Sequence, residues 1–482
     1  MGVAGPRAFV RRCDNRAVAP NEQDHTRSNM VRSLARLALV AGASIVIPRV
    51  VLAQTPNGST ASRAPQADSA AAARGAYRRA IAAYRQRDLA TARAEMRRAA
   101  EAWPAQQAYL EGSAALAAVA RDTTDAAAWL ERLAALGIGP DVASDTAFAA
   151  FAGFPAFDSA AARLRSATRL VARGRVAFTI PDTTFHAEGI AFDARSRRWF
   201  VGSVRQRRIV TVDAAGVVRD FASAASDGLA GVFGMAVDSA RRMLWVATTA
   251  LPRMTGFTTA DSGRAGVFGY DIDSGALRRR VWIRRDPSAH TLGDVAVAPN
   301  GDVYVSDSES PWISRVPAAG DTLERFITHP LFRSLQGMAI ASDGRTMYVA
   351  DYSHGILRVD LATRRVAALR AAPGVTLLGI DGLYLHDGSL IAVQNGVSPA
   401  RVVRFCLDAD GGGVRGAEVL DRNPAVADEP TLGAIAGDSV FYVATSQWEK
   451  YTDTGERRAG EPARSVAVLG VPLDTGRSCR GA

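Results

Sequence analysis

Cysteine and lysine are the residue types that this sequence uses least. It has three cysteines among 482 residues, and none stands in a Cys-x-x-Cys pair or beside a histidine, so a zinc site built on thiolates is not indicated. Lys450 is the only lysine, so nearly all the basic residues are arginine. The formal charge of +10 comes without any basic run interleaved with aromatic residues, and nucleic-acid binding is therefore not predicted.

The sequence also lacks the short motifs of several enzyme classes. It contains no GxSxG, P-loop or HExxH motif and no GxGxxG in a strand–helix setting, so neither a nucleophilic serine nor a bound nucleotide is predicted.

One long apolar stretch, MVRSLARLALVAGASIVIPRVVLAQ, begins at Met30, the expected start. It has a basic beginning, an apolar middle and small residues at Val51 and Ala53, which predicts a secretory signal cleaved before Gln54 and no membrane span. Residues 1–53 are therefore expected to be an extension plus signal peptide, and the protein is expected to be secreted or periplasmic. Two cysteines, Cys406 and Cys479, then remain, and both a disulfide between them and two free thiols stay open.

The next two segments differ sharply in composition. Residues 54–75 are small and polar and are expected to be a flexible linker. Residues 76–170 carry apolar residues at helical spacing, and AYRRAIAAYRQRDLATARAEMRRAAEAWP resembles a tetratricopeptide repeat. The residues at the offsets which that motif uses for close helix packing are Ala80, Ala92, Met96, Ala99 and Pro104. The helical segment is either a surface for a protein partner or a cap with no ligand of its own.

Six copies of a two-strand pattern occupy residues 171–482. Examples are AEGIAFDARSRRWFVGS, QGMAIASDGRTMYVAD and DGLYLHDGSLIAVQN. A repeat of roughly 40 to 60 residues with several short strands per unit predicts a β-propeller, here with six blades. The sixth copy lacks an outer strand, and GRVAFTIPD at 174–182 can supply it, which would close the ring and leave no free edge.

The first step of each inner strand is expected to face the mouth of the central channel. Along the chain these positions are Glu188, Phe233, Gly293, Gln336, Asp381 and Leu432. Two carboxylates across a narrow mouth repel each other unless a cation lies between them or one is protonated. Carboxylate and amide oxygens suit Ca²⁺, Mg²⁺ or Mn²⁺.

The repeats over residues 172–482 are similar to the senescence-marker-protein/gluconolactonase family of six-bladed propellers, and more distantly to strictosidine synthases, paraoxonases and NHL-type propellers. AEGIAFD, LQGMAIASDGRTMYVAD and IDGLYL carry the resemblance. It implies a divalent cation (Ca²⁺, Mg²⁺, Mn²⁺ or Zn²⁺) that polarises a lactone carbonyl, held by Glu188, Asp381 and Gln336. The family has asparagine in the third and fourth blades, whereas this sequence has Gly293, followed by Asp294, and Gln336.

Further candidates are expected on the same face. Asp294 and His354 are the candidate general bases, while a turn histidine bound to backbone is the other interpretation of His354. Two loops, 251–266 and 449–464, are long enough to be lids or binding loops. The remaining residues expected there are Asp307, Asp351, Asn395 and Trp448. His290 is expected near the rim, and Arg401 either reaches an anionic substrate or caps a strand edge.

Two functions remain open. One is a metal-dependent lactone or ester hydrolase that acts on a small-molecule substrate at the mouth. The other is a non-catalytic propeller that binds a small ligand or a protein partner. The retained Glu188 and Asp381 favour the first function, and the changes at positions 293 and 336 favour the second.

Overall fold

The computed structural model describes residues 65–284, 289–474 and 479, and the predicted signal peptide lies outside them. Within this part of the chain, six sheets surround a channel lined by their inner strands, each of which contacts the inner strand of the next blade around the ring. The predicted fold class, a six-bladed β-propeller with an N-terminal helical region, is thus confirmed. No helix among these residues is both long and apolar enough to cross a membrane.

In blades 1 to 5, four antiparallel strands follow the chain from the inner strand outward. Blade 1 is β2 (Ala187–Asp193), β3 (Arg198–Ser203), β4 (Arg208–Val212) and β5 (Val218–Ala222), and blade 2 is β6 (Gly231–Asp238), β7 (Met243–Thr249), β8 (Ala265–Asp271) and β9 (Leu277–Trp282). Blade 3 is β10 (Leu292–Val297), β11 (Val303–Asp307), β12 (Trp312–Val316) and β13 (Glu324–Thr328), and blade 4 is β14 (Leu335–Ile340), β15 (Thr346–Asp351), β16 (Gly355–Asp360) and β17 (Val366–Ala368). Blade 5 is β19 (Gly382–His386), β20 (Ser389–Gln394), β21 (Arg401–Leu407) and β22 (Gly413–Arg422), with the short β18 (Arg370–Ala371) parallel to β22 at its outer edge.

Blade 6 joins the two ends of the propeller. It contains β23 (Gly433–Ala436), β24 (Ser439–Val443) and β25 (Val466–Pro472), and its outer strand is β1 (Arg175–Ile180). Strand β1 pairs with β25 from Arg175 opposite Gly470 to Ile180 opposite Val466. The predicted closure is therefore confirmed, and β25 has both of its edges paired.

Valine and aromatic side chains bury the faces between neighbouring blades. Where blade 6 meets blade 1, Val443, Val466 and Val468 pack with Ile190 and Val201, all of them almost fully buried. β-Branched side chains suit such two-sided burial.

From residue 65 onward, five α-helices and a 3₁₀ turn precede the propeller. They are α1 (Pro65–Arg85), α2 (Leu89–Ala102), α3 (Gln107–Val119), α4 (Thr123–Leu136), the 3₁₀ turn Thr146–Phe151 and α5 (Pro155–Ala167). Of the five positions predicted to pack closely, Ala80, Ala92, Met96 and Ala99 are buried, whereas Pro104 is exposed. Residues 54–64 of the predicted linker lie outside the described residues. Helix α1 includes the rest of that segment, because Ala70 and Ala73 are buried and continue its apolar face.

Two buried arginines dock the helical domain on blade 5. Arg401 and Arg422 are opposite each other on β21 and β22, an unfavourable pairing of like charges. Arg401 Nη1 donates to the carbonyls of Leu136 and Gly137 at 3.3 and 3.2 Å. Arg422 donates through Nη1 to Ala167 O at 2.6 Å and through Nε to Arg169 O at 2.8 Å. These carbonyls lie at the C-terminal ends of α4 and α5, where the helix dipole favours a cation.

A disulfide joins Cys406 of β21 to Cys479 in the tail, which resolves the open question of their pairing. The bridge spans 73 residues of chain and encloses all of blade 6 except β1. It anchors the tail beside the outer part of blade 5.

Replacing both cysteines by serine should lower the free energy of unfolding by about 4 kcal/mol, the loop-entropy value for a closed loop of this size. Thermal unfolding with and without reductant measures this. Reductant should lower the midpoint of the wild type and leave that of the double variant unchanged. Equal midpoints for the oxidised wild type and the double variant would contradict the expected stabilisation.

Candidate active site at the channel mouth

In four blades, a β-bulge lies at the start of the inner strand, at the residue expected to face the mouth. The register with the second strand shifts between Ala187 and Ile190 in blade 1, and between Val232 and Met235 in blade 2. Blades 3 and 4 repeat the shift. Bulges re-aim side chains beside functional sites. The four bulged segments contain Glu188, Phe233, Gly293 and Gln336.

Glycine follows the mouth residue in five blades because its neighbours leave no room for a side chain. A Cβ on Gly189 would lie 2.0 Å from Phe233 O, and one on Gly337 would lie 2.4 Å from Leu383 N. Blade 3 reverses the order, since Gly293 takes the mouth position and Asp294 the glycine position. Comparison of these dipeptides among the six repeats is the sequence signal that sets Asp294 apart.

The mouth is a cavity of about 240 Å³. Its lining combines the two predicted carboxylates, aromatic rings, and small or amide side chains, and contains no basic residue. The members are Glu188, Phe233, Thr291, Gly293, Ser308, Gln336, Tyr352, Asp381, Asn395, Thr431 and Trp448. The structure thus brings together the three predicted metal ligands, Glu188, Gln336 and Asp381.

Trp448 reaches the mouth from the long loop between β24 and β25. Its indole Nε1–H donates to Glu188 Oε2 at 2.5 Å. Arg253, from the other long loop, donates to Trp448 O at 2.9 Å and lies 4.9 Å from the centroid of its ring. The two loops predicted as binding loops therefore meet over the mouth.

A buried histidine supports this loop from beneath. The imidazole of His186 stacks on Tyr451, with ring centroids 5.4 Å apart, and meets Trp448 edge-on at 4.6 Å. Burial and the nearby Arg253 and Arg205 lower the pKa of His186 to about 3, so it packs as a neutral aromatic ring.

Asp381 has a different partner. Asn395 Nδ2–H donates to Asp381 Oδ2 at 2.7 Å and to Pro430 O at 2.9 Å, while Asn395 Oδ1 accepts the Tyr352 hydroxyl at 3.1 Å. Burial raises the pKa of Asp381 to about 6, and the hydrogen bond from Asn395 opposes that rise. Burial and the repulsion of Asp381 raise the pKa of Glu188 well above its usual value. Burial therefore favours the neutral form of both acids.

Asp294 lies among the inner strands and does not line the mouth cavity. Its Oδ2 accepts the Met338 N–H at 3.0 Å, and burial raises its pKa to about 7. Tyr384 accepts a hydrogen bond from Gly433 N–H, and its pKa is raised by burial and then by Asp294, Asp381 and Glu188. A protonated phenol therefore lies among the three acids.

Gln336 extends toward the gap left by Gly293. Its Oε1 is 3.5 Å from the point where a Cβ on residue 293 would stand. The longer amide of blade 4 thus places an oxygen near the position where blade 3 has no side chain.

Several predicted residues lie elsewhere. His354 is buried against the helical domain: its Nε2 is 3.1 Å from Arg74 Nη1, and its ring meets Trp103 edge-on at 6.0 Å. This placement argues against the predicted role as a base at the mouth. Asp351 accepts the backbone N–H groups of residues 333, 334, 353 and 354. Asp307 is 2.6 Å from His290 Nδ1. Both aspartates thus order their own turns.

The mouth offers a divalent cation few charged ligands. Within the described residues, no group of three or more His, Cys, Asp or Glu side chains is placed to hold a metal ion. Glu188 and Asp381 are nevertheless buried together, with neutral donors on one oxygen of each, and the Gln336 amide oxygen lines the same cavity. Two carboxylates and an amide fit a hard cation that completes its coordination with water, such as Ca²⁺, Mg²⁺ or Mn²⁺.

No protein-family model matches this sequence. No curated protein matches it either.

Solved structures of similar fold include a gluconolactonase from Xanthomonas campestris, at 16% identity over 64% of this chain and 93% of that chain, with a TM-score of 0.43. They also include regucalcin, a calcium-binding protein from Agrobacterium tumefaciens, at 15% identity over 62% of this chain and 96% of that one, with a TM-score of 0.42. A virginiamycin B lyase from Staphylococcus aureus has 14% identity over 55% and 80%, with a TM-score of 0.39. What this mouth can do chemically follows from its own residues.

The buried acids should make the metal-free protein less stable as pH rises. Asp294, Asp381 and also Glu429, whose pKa burial raises to about 7, keep protons in the folded state above the pH at which unfolded carboxyls lose them. The folded state then binds more protons, so stability falls between about pH 4 and pH 8. Each unit of pKa difference is worth about 1.4 kcal/mol.

The measurement is the unfolding midpoint in chelator at several pH values. Asp294→Asn, which keeps an oxygen for Met338 N–H, should flatten the decline. Asp438→Asn is the control, because that side chain is 81% exposed. Equal slopes for Asp294→Asn and the wild type would contradict the assignment.

Proposed function

We propose that the channel mouth is a divalent-cation site that hydrolyses a small, uncharged lactone or related ester outside the cytoplasm. The observation that carries the proposal is the buried pair Glu188 and Asp381. Among the residues that the structure describes, each receives a side-chain hydrogen bond only from a neutral donor, Trp448 or Asn395. Buried carboxylates that lack a cationic partner favour either a bound cation or a retained proton. The resemblance of the repeats to the gluconolactonase family supplies the reaction class.

The cavity supports a small neutral substrate. A volume of about 240 Å³ is below the usual range for drug-sized ligands. With two acids and no basic side chain in the lining, the cavity would repel an anion. The rings of Phe233 and Trp448, whose centroids are 6.3 Å apart, offer an apolar wall for the carbon skeleton.

Glu188, Asp381 and the amide oxygen of Gln336 would hold the cation. When bound, it would polarise the ester carbonyl and increase the acidity of water. Trp448 and Asn395 orient the two carboxylates by donating to one oxygen of each, in the manner of outer-shell partners.

Asp294 is a buried acid near the three proposed ligands, and we propose it as the general base. With a pKa of about 7, it can accept the proton of the attacking water near neutral pH. Because it does not line the cavity, that proton would reach it through an intervening water.

Export is part of the proposal. The predicted signal ends at Ala53, and the Cys406–Cys479 disulfide suits an oxidising compartment. N-terminal sequencing of the exported protein tests this and should begin at Gln54.

The cation site predicts micromolar binding of Ca²⁺, Mg²⁺ or Mn²⁺ by residues 54–482 and weaker binding of Zn²⁺, because the ligands are oxygen atoms. Titration calorimetry measures it. Asp381→Asn should weaken binding at least about ten-fold, whereas Asp438→Asn should not. Absence of binding at millimolar metal would refute the cation site and leave the mouth as a neutral-ligand pocket.

Glu188→Gln should lower hydrolysis of a responsive lactone by roughly 100-fold or more, while Asp438→Asn should keep wild-type turnover. The reason is that a neutral amide ligates a cation less strongly and carries no charge to orient it. The measurement is lactone hydrolysis followed by proton release with the preferred cation present. Unchanged turnover in Glu188→Gln would place the chemistry elsewhere.

A further inference from the structure

One loop belongs to both the mouth and the interface with the helical domain. It runs from Asn395 to Ala400, between β20 and β21. At its beginning, Asn395 contributes the amide that donates to Asp381 Oδ2 at 2.7 Å. The loop therefore carries a side-chain hydrogen bond that favours the charged form of Asp381.

The middle of the loop is attached to the helical domain. Ser398 N–H donates to Gln107 Oε1 of α3 at 2.9 Å, and Ser398 O accepts the Gly139 N–H at 2.6 Å. The side chain of Val397 belongs to the hydrophobic core of the helices and is 7% exposed. Two hydrogen bonds and one apolar contact thus join the helical domain to two loop residues, Val397 and Ser398.

Both ends of the loop are also held. Gln394 Oε1 accepts Arg401 Nε–H at 2.6 Å, and Arg401 in turn donates to the carbonyls at the end of α4. A Cβ on Gly396 would lie 2.6 Å from both Gly379 Cα and the Tyr352 hydroxyl. With backbone packed this closely, the loop has no room to shift without moving Asn395.

We propose that the helical domain is a positioning element of the mouth: through Gln107 it holds the 395–400 loop, which sets the Asn395 amide on Asp381. The proposal rests on the cation site proposed above and gives the helical domain a role within this chain. Gln107 is suited to the task because its Nε2–H donates to Glu111 Oε1 at 2.6 Å, which orients the amide so that Oε1 faces Ser398 N–H.

The first test compares cation affinity by calorimetry in full-chain variants. Asn395→Ala should weaken binding about ten-fold, as expected for loss of an outer-shell partner, and Gln107→Ala should weaken it several-fold. Thr376→Val is the matched control, because Thr376 Oγ1 bonds the same domain, at Ala105 O, from a different loop. Equal weakening by Thr376→Val would overturn the proposal, since it would indicate general loosening of the interface.

The double variant separates positioning from mere stability. If Gln107 acts through Asn395, Gln107→Ala should add nothing to Asn395→Ala, whereas independent effects would multiply. The exchanged pair Gln107→Glu with Glu111→Gln keeps an acceptor for Ser398 and a donor beside it, and should restore wild-type affinity. Multiplying effects, or no recovery in the exchanged pair, would contradict the proposal.

A measurement without metal distinguishes failure of this proposal from failure of the cation site. Amide hydrogen exchange of residues 396–400 should accelerate about ten-fold or more in Gln107→Ala and not in Thr376→Val. If the wild type binds no cation, the proposed function fails. Faster exchange in Gln107→Ala would still support the role of Gln107 in holding the 395–400 loop. Unchanged exchange in Gln107→Ala would overturn the positioning role.

Discussion

The pairing of β1 with β25 is the interaction on which the rest of the structure depends. It makes a ring of six sheets from a linear chain, and only in a ring do the inner strands face one axis. Glu188 and Asp381, in blades 1 and 5, line one cavity because of this closure. Without it, blade 6 would expose an unpaired edge, and blades 1 and 6 would lose the valine packing between them.

The mouth and its surroundings bury several carboxyl groups, and burial disfavours their charged forms. Burial is the largest cause that raises the pKa values of Glu188, Asp294 and Asp381, and repulsion from Asp381 adds to the rise at Glu188 and Asp294. The neighbours that oppose the rise are the Trp448 indole, backbone amides and the Asn395 amide. Buried acids with shifted pKa values cluster at functional sites of proteins. The bulged strands and the glycines beside them are the backbone devices that bring these groups together.

Much of this arrangement could be predicted from the repeat. The period, the closing strand and the position of Glu188 and Asp381 follow from local patterns that recur six times. The orientation of the His354 side chain could not be predicted, because tertiary packing determines where a turn histidine points. Here it contacts Trp103 and Arg74 of the helical domain. The docking of the helices was also beyond prediction, because Arg401 and Arg422 bind backbone carbonyls, which leave no mark in the sequence.

The shared sixth blade also governs the order in which the protein can fold. Among the described strands, β1 is synthesised first, yet its partner β25 is synthesised last. A chain growing from its N-terminus can complete blades 1 to 5 one after another, but β1 must wait, unpaired, for almost the whole propeller. Such a long-range contact is slow to form. Ring closure is thus a late step of folding. A chain truncated before β25 would leave the edge of β1 unpaired, and chaperones or proteases could recognise that edge.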